Sequence, residues 1–135
     1  MNLKKLIDQL KAHEGFSSTA YKCTADRWTI GYGRNISDKG ISEREAQFLL
    51  DNDIQECYDD LLPLFINFEL IQDSIQHVLL DMRFQLGAAG FRKFKKMITA
   101  VNNRNQEEMI KQMRDSSWYT QVKTRADNLI RLIEG

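Results

Sequence analysis

The chain has 135 residues, 42% of them hydrophobic and 28% charged, with 19 basic and 19 acidic side chains and no net charge. That is enough apolar material for one domain with a core, and with Pro63 as the only proline it excludes a disordered chain. No apolar run approaches the length of a membrane span, and the charge balance gives no general attraction to nucleic acid.

Leu3, Leu6, Ile7 and Leu10 recur at helical spacing and predict a first helix over about residues 2–12, closed by Glu14-Gly15. Charges interrupt its apolar pattern, so it reads as an amphipathic helix rather than a signal peptide, and the protein is expected in the cytoplasm where it is made. From Tyr21 to Ile36 the pattern changes: Trp28, Ile30 and Tyr32 alternate with Thr29, Gly31 and Gly33, which predicts strand. Asp38-Lys39-Gly40 reads as a turn. Ser42 and Glu45 have capping-box spacing and open a helix that runs to about Leu62, where Pro63 stops it. Residues 71–86 are helical, and Gly87-Ala88-Ala89-Gly90 is expected to break that helix. Further helices are predicted over 92–102, 106–114 and 119–134. The expected fold class is α+β and mostly helical.

Charge is unevenly spread: residues 91–135 hold ten basic and five acidic residues, densest at Arg92, Lys93, Lys95 and Lys96. A solvated helix face is the plainer reading, and approach to an anionic polymer the functional one. Cys23 and Cys57 are not expected to form a disulfide in a cytoplasmic chain. His13 and His77 lack metal-ligand spacing, so neither a metal nor a cofactor is expected.

The segment from Glu14 to Gly33 carries the chemistry. A carboxylic acid ends a helix, an ionisable thiol follows on a loop at Cys23, and the Thr29 hydroxyl opens a strand ending in Gly31-Tyr32-Gly33. Such a set suits acid-assisted bond cleavage with a positioned water. A carboxylate at a helix C-terminus is electrostatically unfavourable, which favours a functional reading of Glu14. Cys23 taken alone reads as a packed small residue, and Thr29 as an ordinary strand residue. Asp26 is a second candidate base.

Eight residues separate Glu14 from Cys23 and five separate Cys23 from Thr29. This spacing, Thr29-Ile30-Gly31-Tyr32-Gly33, Phe84-Gln85-Leu86-Gly87, Gly90-Phe91, Ser117-Trp118-Tyr119 and Arg125-Ala126, in that order, resemble the motifs of phage-type lysozymes, glycoside hydrolase family 24. The chain departs from the best-known members in a shorter stretch between Gly33 and Ser42, and in having Cys23 where Asp is more familiar. The resemblance implies a lysozyme-like fold: a small N-terminal lobe with a β-hairpin or sheet, joined by a long helix to a helical C-terminal lobe. As one domain over 1–135, it would place about 13–62 in the N-terminal lobe and connecting helix, and 1–12 with 63–135 in the helical lobe.

The implied activity is an endolysin-type muramidase that cuts the β-1,4 bond between N-acetylmuramic acid and N-acetylglucosamine in peptidoglycan glycan strands. Glu14 would be the general acid, Cys23 a water activator or a nucleophile, and Thr29 the holder of the water. Asn35, Phe84, Gln85 and Gln112 would bind substrate. Arg125 would support Glu14, Trp118 would pack in the core, and Arg34 would pair with Asp53. A monomer is expected, with a holin-type pore for export, acting in periplasm or cell wall after lysis. A lytic transglycosylase giving 1,6-anhydro ends and a non-catalytic peptidoglycan-binding module are the alternatives, and nucleic-acid binding is not expected.

Overall fold

The computed structural model describes every residue from Met1 to Gly135. The chain divides into two compact units, residues 1–48 and 49–135.

The first unit opens with helix α1 (Leu3–Glu14). Asn2 caps it by accepting the Lys5 N–H at 3.0 Å. Gly15, at φ +69°, ends it by donating its N–H to the Lys11 carbonyl, a termination that favours glycine. An antiparallel sheet follows, in the order β1 (Ser17–Lys22), β2 (Trp28–Gly31), β3 (Arg34–Asn35). Tyr21 faces Thr29 and Lys22 faces Trp28 across the first pair, with a register irregularity between Ser17 and Tyr21. The expected turn at Asp38-Lys39-Gly40 is a single helical turn, α2 (Ile36–Lys39). Asn35 caps it and Gly40 terminates it, so the short polar side chain is spent on a cap.

Helix α3 (Glu43–Leu61) crosses from the first unit into the second. The capping box forms as read: Glu45 N–H donates to the Ser42 hydroxyl at 3.1 Å, and Ser42 N–H to the Glu45 carboxylate at 2.9 Å. Pro63 sits in the 3-10 turn Leu62–Leu64 that ends the helix. Asn102 then holds the connection to the next helix, donating to the Leu64 carbonyl and accepting the Ile66 N–H, while the Arg104 guanidinium donates to the Ile66 carbonyl.

The rest of the second unit is helical: α4 (Asp73–Arg92), α5 (Lys95–Asn102), α6 (Gln106–Arg114), α7 (Ser117–Gln121) and α8 (Lys123–Glu134). Gly87 does not end α4. It takes φ +77°, kinks the helix and lets the helix resume to Arg92, and Phe91 beyond the kink is fully buried. The predicted last helix is two, broken at Val122. Leu61, Phe68, Leu79, Met82, Phe91 and Met113 are among the side chains that centre the core of this unit. Each apolar side chain fully buried there contributes about 1.5–3 kcal/mol. No helix is long and apolar enough to cross a membrane.

Candidate active site

Glu14 is the last residue of α1, so its backbone position is fixed by the helix that the apolar repeat and the Asn2 cap build. Its carboxylate rests against the turn Tyr32-Gly33: a β-carbon built on Gly33 would lie 2.5 Å from Glu14 Oε2 and 2.8 Å from Cδ. Tyr32 is held to α1 and its exit by the Lys11 ammonium, 5.1 Å from the ring centre, and by the Phe16 ring at 5.5 Å.

Cys23 is the first residue after β1. Its N–H donates to the Arg27 carbonyl at 3.0 Å and its carbonyl accepts the Asp26 N–H at 2.9 Å, which closes the hairpin loop. The thiol is held below its ordinary range. The backbone amide of Arg27 contributes most and that of Ala25 next; burial opposes them, and the Thr29 hydroxyl adds a smaller effect that again favours the thiolate. Asp26 sits in the left-handed region at φ +60°, and its carboxylate pairs with Lys22 at 3.3 Å on the solvent side. That places it as a loop-closing residue.

Thr29 is the one buried polar residue of the site at 5% exposure, while Cys23 is half-buried and Glu14 exposed. Its hydroxyl donates to the Arg27 carbonyl at 3.1 Å and is one of the groups that favour the Cys23 thiolate. A hydroxyl has one proton and two lone pairs. It can serve the Arg27 carbonyl while Cys23 is a thiol and turn to the sulfur once the thiolate forms. The first unit thus brings Cys23 and Thr29 together and carries Glu14 against the turn that follows the Thr29 strand. Asn35 belongs to the same sheet, but its side chain is engaged: it accepts the Asp38 N–H and donates to the Asp38 carboxylate.

Arg34 has a partner other than the expected Asp53. It makes a bidentate pair with Glu45, at 3.0 and 2.5 Å, and donates to the Gly40 carbonyl. The Glu45 carboxyl is pushed down to about 2, first by Arg34 and then by the Ser42 N–H and hydroxyl. One carboxylate therefore closes the helix cap and ties β3 to α3.

In the second unit the expected substrate residues face two hollows. Phe84 and Arg125 line a groove of about 540 Å³ with Leu50, Ile54 and His77, and the Arg125 guanidinium is paired with Asp81 at 2.8 Å. Gln112 lines a second hollow of about 640 Å³ whose floor includes Trp118 and whose rim carries Lys93, Lys95 and Lys96. Gln85 joins α4 to α7 by accepting the Trp118 indole N–H at 2.9 Å, which leaves its amide N–H groups free to donate. Trp118 is core, 4% exposed, as read from the sequence. Cys57 is buried at the head of a charged network: it accepts from Arg83, which donates to Asp60, and Asp60 also accepts from Arg92. No group of side chains has the makings of a metal site.

A helix-end carboxylate set against a three-stranded antiparallel sheet, followed along the chain by a helical unit, is the lysozyme-like α+β class. The chain belongs to the phage lysozyme family, whose model matches residues 11–131. It is 28% identical to the peptidoglycan hydrolase gp36 of Pseudomonas phage phiKMV over 96% of this chain, and 25% identical to the probable T4-type lysozyme 2 of Dictyostelium discoideum over 98%. It is 34% identical to an endolysin of Acyrthosiphon pisum secondary endosymbiont phage 1 over 61% of this chain. The chain spans 15% of the length of gp36, 95% of the Dictyostelium protein and 57% of the endolysin.

Proposed function

We propose that this chain is a peptidoglycan hydrolase of the muramidase type, cutting the β-1,4 bond between N-acetylmuramic acid and N-acetylglucosamine as one lysozyme domain. The observation that carries the proposal is the Glu14–Gly33 segment: an acid pressed on the turn after β2, with a thiol of lowered pKa just after β1 and the buried Thr29 hydroxyl on the neighbouring strand. The family match over 11–131 and the relatives named for peptidoglycan hydrolysis and endolysis support it.

In this reading Glu14 gives its proton to the glycosidic oxygen as the bond to the anomeric carbon breaks. The electron pair of that bond leaves with the N-acetylglucosamine oxygen. The Cys23 thiolate either takes a proton from the attacking water, which Thr29 orients, or attacks the anomeric carbon itself and is later displaced by water. The first course inverts the anomeric centre and the second retains it. Asn35, Phe84, Gln85 and Gln112 bind the glycan; Arg125, which the family resemblance assigns to the acid, is paired with Asp81 within its own unit. In an endolysin role the enzyme acts as a monomer and reaches the wall from the cytoplasm through a holin-type pore.

Digestion of purified peptidoglycan under reducing conditions, with mass spectrometry of the released ends, tests this. Reducing N-acetylmuramic acid ends are expected from the wild type and none from Glu14→Gln. Anhydro ends would replace hydrolysis by transglycosylation. Binding without release, equal in both proteins, would leave a wall-binding module.

A further inference from the structure

We infer that Gly33 is the positioning residue of the acid, setting where the Glu14 carboxylate lies by having no side chain. The inference rests on Glu14 being the acid of the proposed reaction. Ile30 pairs with Arg34 across the β2–β3 hairpin, so Gly31, Tyr32 and Gly33 form its three-residue loop, a length whose common form ends with a residue in the left-handed region. Gly33 has φ +73°. The three atoms nearest to its virtual β-carbon all belong to Glu14: Oε2 at 2.5 Å, Cδ at 2.8 Å and Cγ at 3.1 Å. The carboxylate lies flat on the bare α-carbon, closer than any side chain would allow. What a methyl group would displace is the free end of a glutamate, so the acid must shift while the backbone can stay.

Tyr32 makes that seat firm. The Lys11 ammonium lies over its ring, three residues before Glu14, and the Phe16 ring packs on it, two residues after. The turn is therefore held to both sides of the helix end that carries the acid, and acid and seat move together.

Gly31 supplies the matched control. It lies in the same hairpin at φ +68°, and a β-carbon there has nothing within 4 Å. Gly31→Ala and Gly33→Ala carry the same kind of backbone strain and differ in the contact with Glu14. Displacing a reacting group by about 1 Å costs on the order of 100-fold in rate. Gly33→Ala is therefore expected to lower kcat by roughly 100-fold with KM within about twofold, and Gly31→Ala to lower kcat by less than about tenfold. Melting temperatures of the two variants should fall alike. At one fixed pH, the carbon-13 resonance of the Glu14 carboxyl should move in Gly33→Ala and stay in Gly31→Ala.

Equal loss of kcat in the two variants, with the Glu14 resonance unmoved, overturns the inference. If wild type releases no sugar ends, the proposed activity fails, and the resonance alone decides whether Gly33 seats the carboxylate. If Gly33→Ala does not fold, Tyr32→Leu keeps the glycine and loosens its anchor. It should lower kcat more than KM and move the same resonance, and an unchanged kcat and resonance would overturn the inference.

Discussion

The two cysteines are chemically opposite. Cys23 sits at a hairpin mouth where backbone amides favour its thiolate, whereas burial at 3% exposure pushes the Cys57 thiol up against the pull of Arg83. Thiolate is the reactive form. Iodoacetamide at neutral pH should therefore label Cys23 and leave Cys57 unmodified until the protein unfolds. The rate should fall as pH drops, with a midpoint below the roughly 8.5 of an unstructured thiol; equal labelling of both, or an ordinary midpoint, would refute this. The candidate residues were legible at this scale because Glu14, Cys23 and Thr29 are defined by spacing along the chain. The seat of Glu14 on Gly33 was not, since a missing side chain leaves no signal of what fills its place. The Asp53 partner for Arg34 rested on family resemblance alone; the structure pairs Arg34 with Glu45, whose carboxylate has enough lone pairs to serve both the helix cap and the guanidinium.

At the level of elements, that shared carboxylate links pH to the start of α3. A depressed glutamate stabilises the folded state above its unfolded value of about 4.3, and the contribution is lost as pH falls through the folded value, here about 2. The melting-temperature gap between wild type and Glu45→Gln should thus be full above about pH 5 and close toward pH 2. A gap that persists at pH 2 would mean that the lost stability comes from packing rather than from charge. Helix positions were legible from apolar spacing, and the predicted 106–114 helix is α6 itself (Gln106–Arg114). The breaks were less legible. Val122 interrupts the last helix without glycine or proline, and Gly87, read as a terminator, is a kink because Phe91 beyond it has a buried site to occupy. The connection over residues 62–70 is ordered by Asn102 and Arg104, far along the chain, and no local pattern announces that.

Across the whole molecule, charge pairs differ in weight according to burial. Arg83 and Asp60 are 12% and 16% exposed, while Arg114 and Glu134 are each 50% exposed. Asp60→Ala should cost about 3 kcal/mol because it strands the Arg83 guanidinium, while Arg114→Gln should cost less than about 1 kcal/mol. Urea midpoints with unchanged slopes would measure both, and equal losses would contradict the ranking. The α+β class and the helical C-terminal half were readable from the sequence, but this ranking depends on contacts between distant residues. The Asp60–Arg83 and Asn102–Leu64 links close long loops, whereas acid, thiol, hydroxyl and glycine seat all fall within residues 14–33. Long loops make slow contacts and short ones fast. A hairpin forms within microseconds, so the segment 14–33 can reach its native shape before the helical core has closed, and its geometry is inherited by the folding chain rather than assembled last.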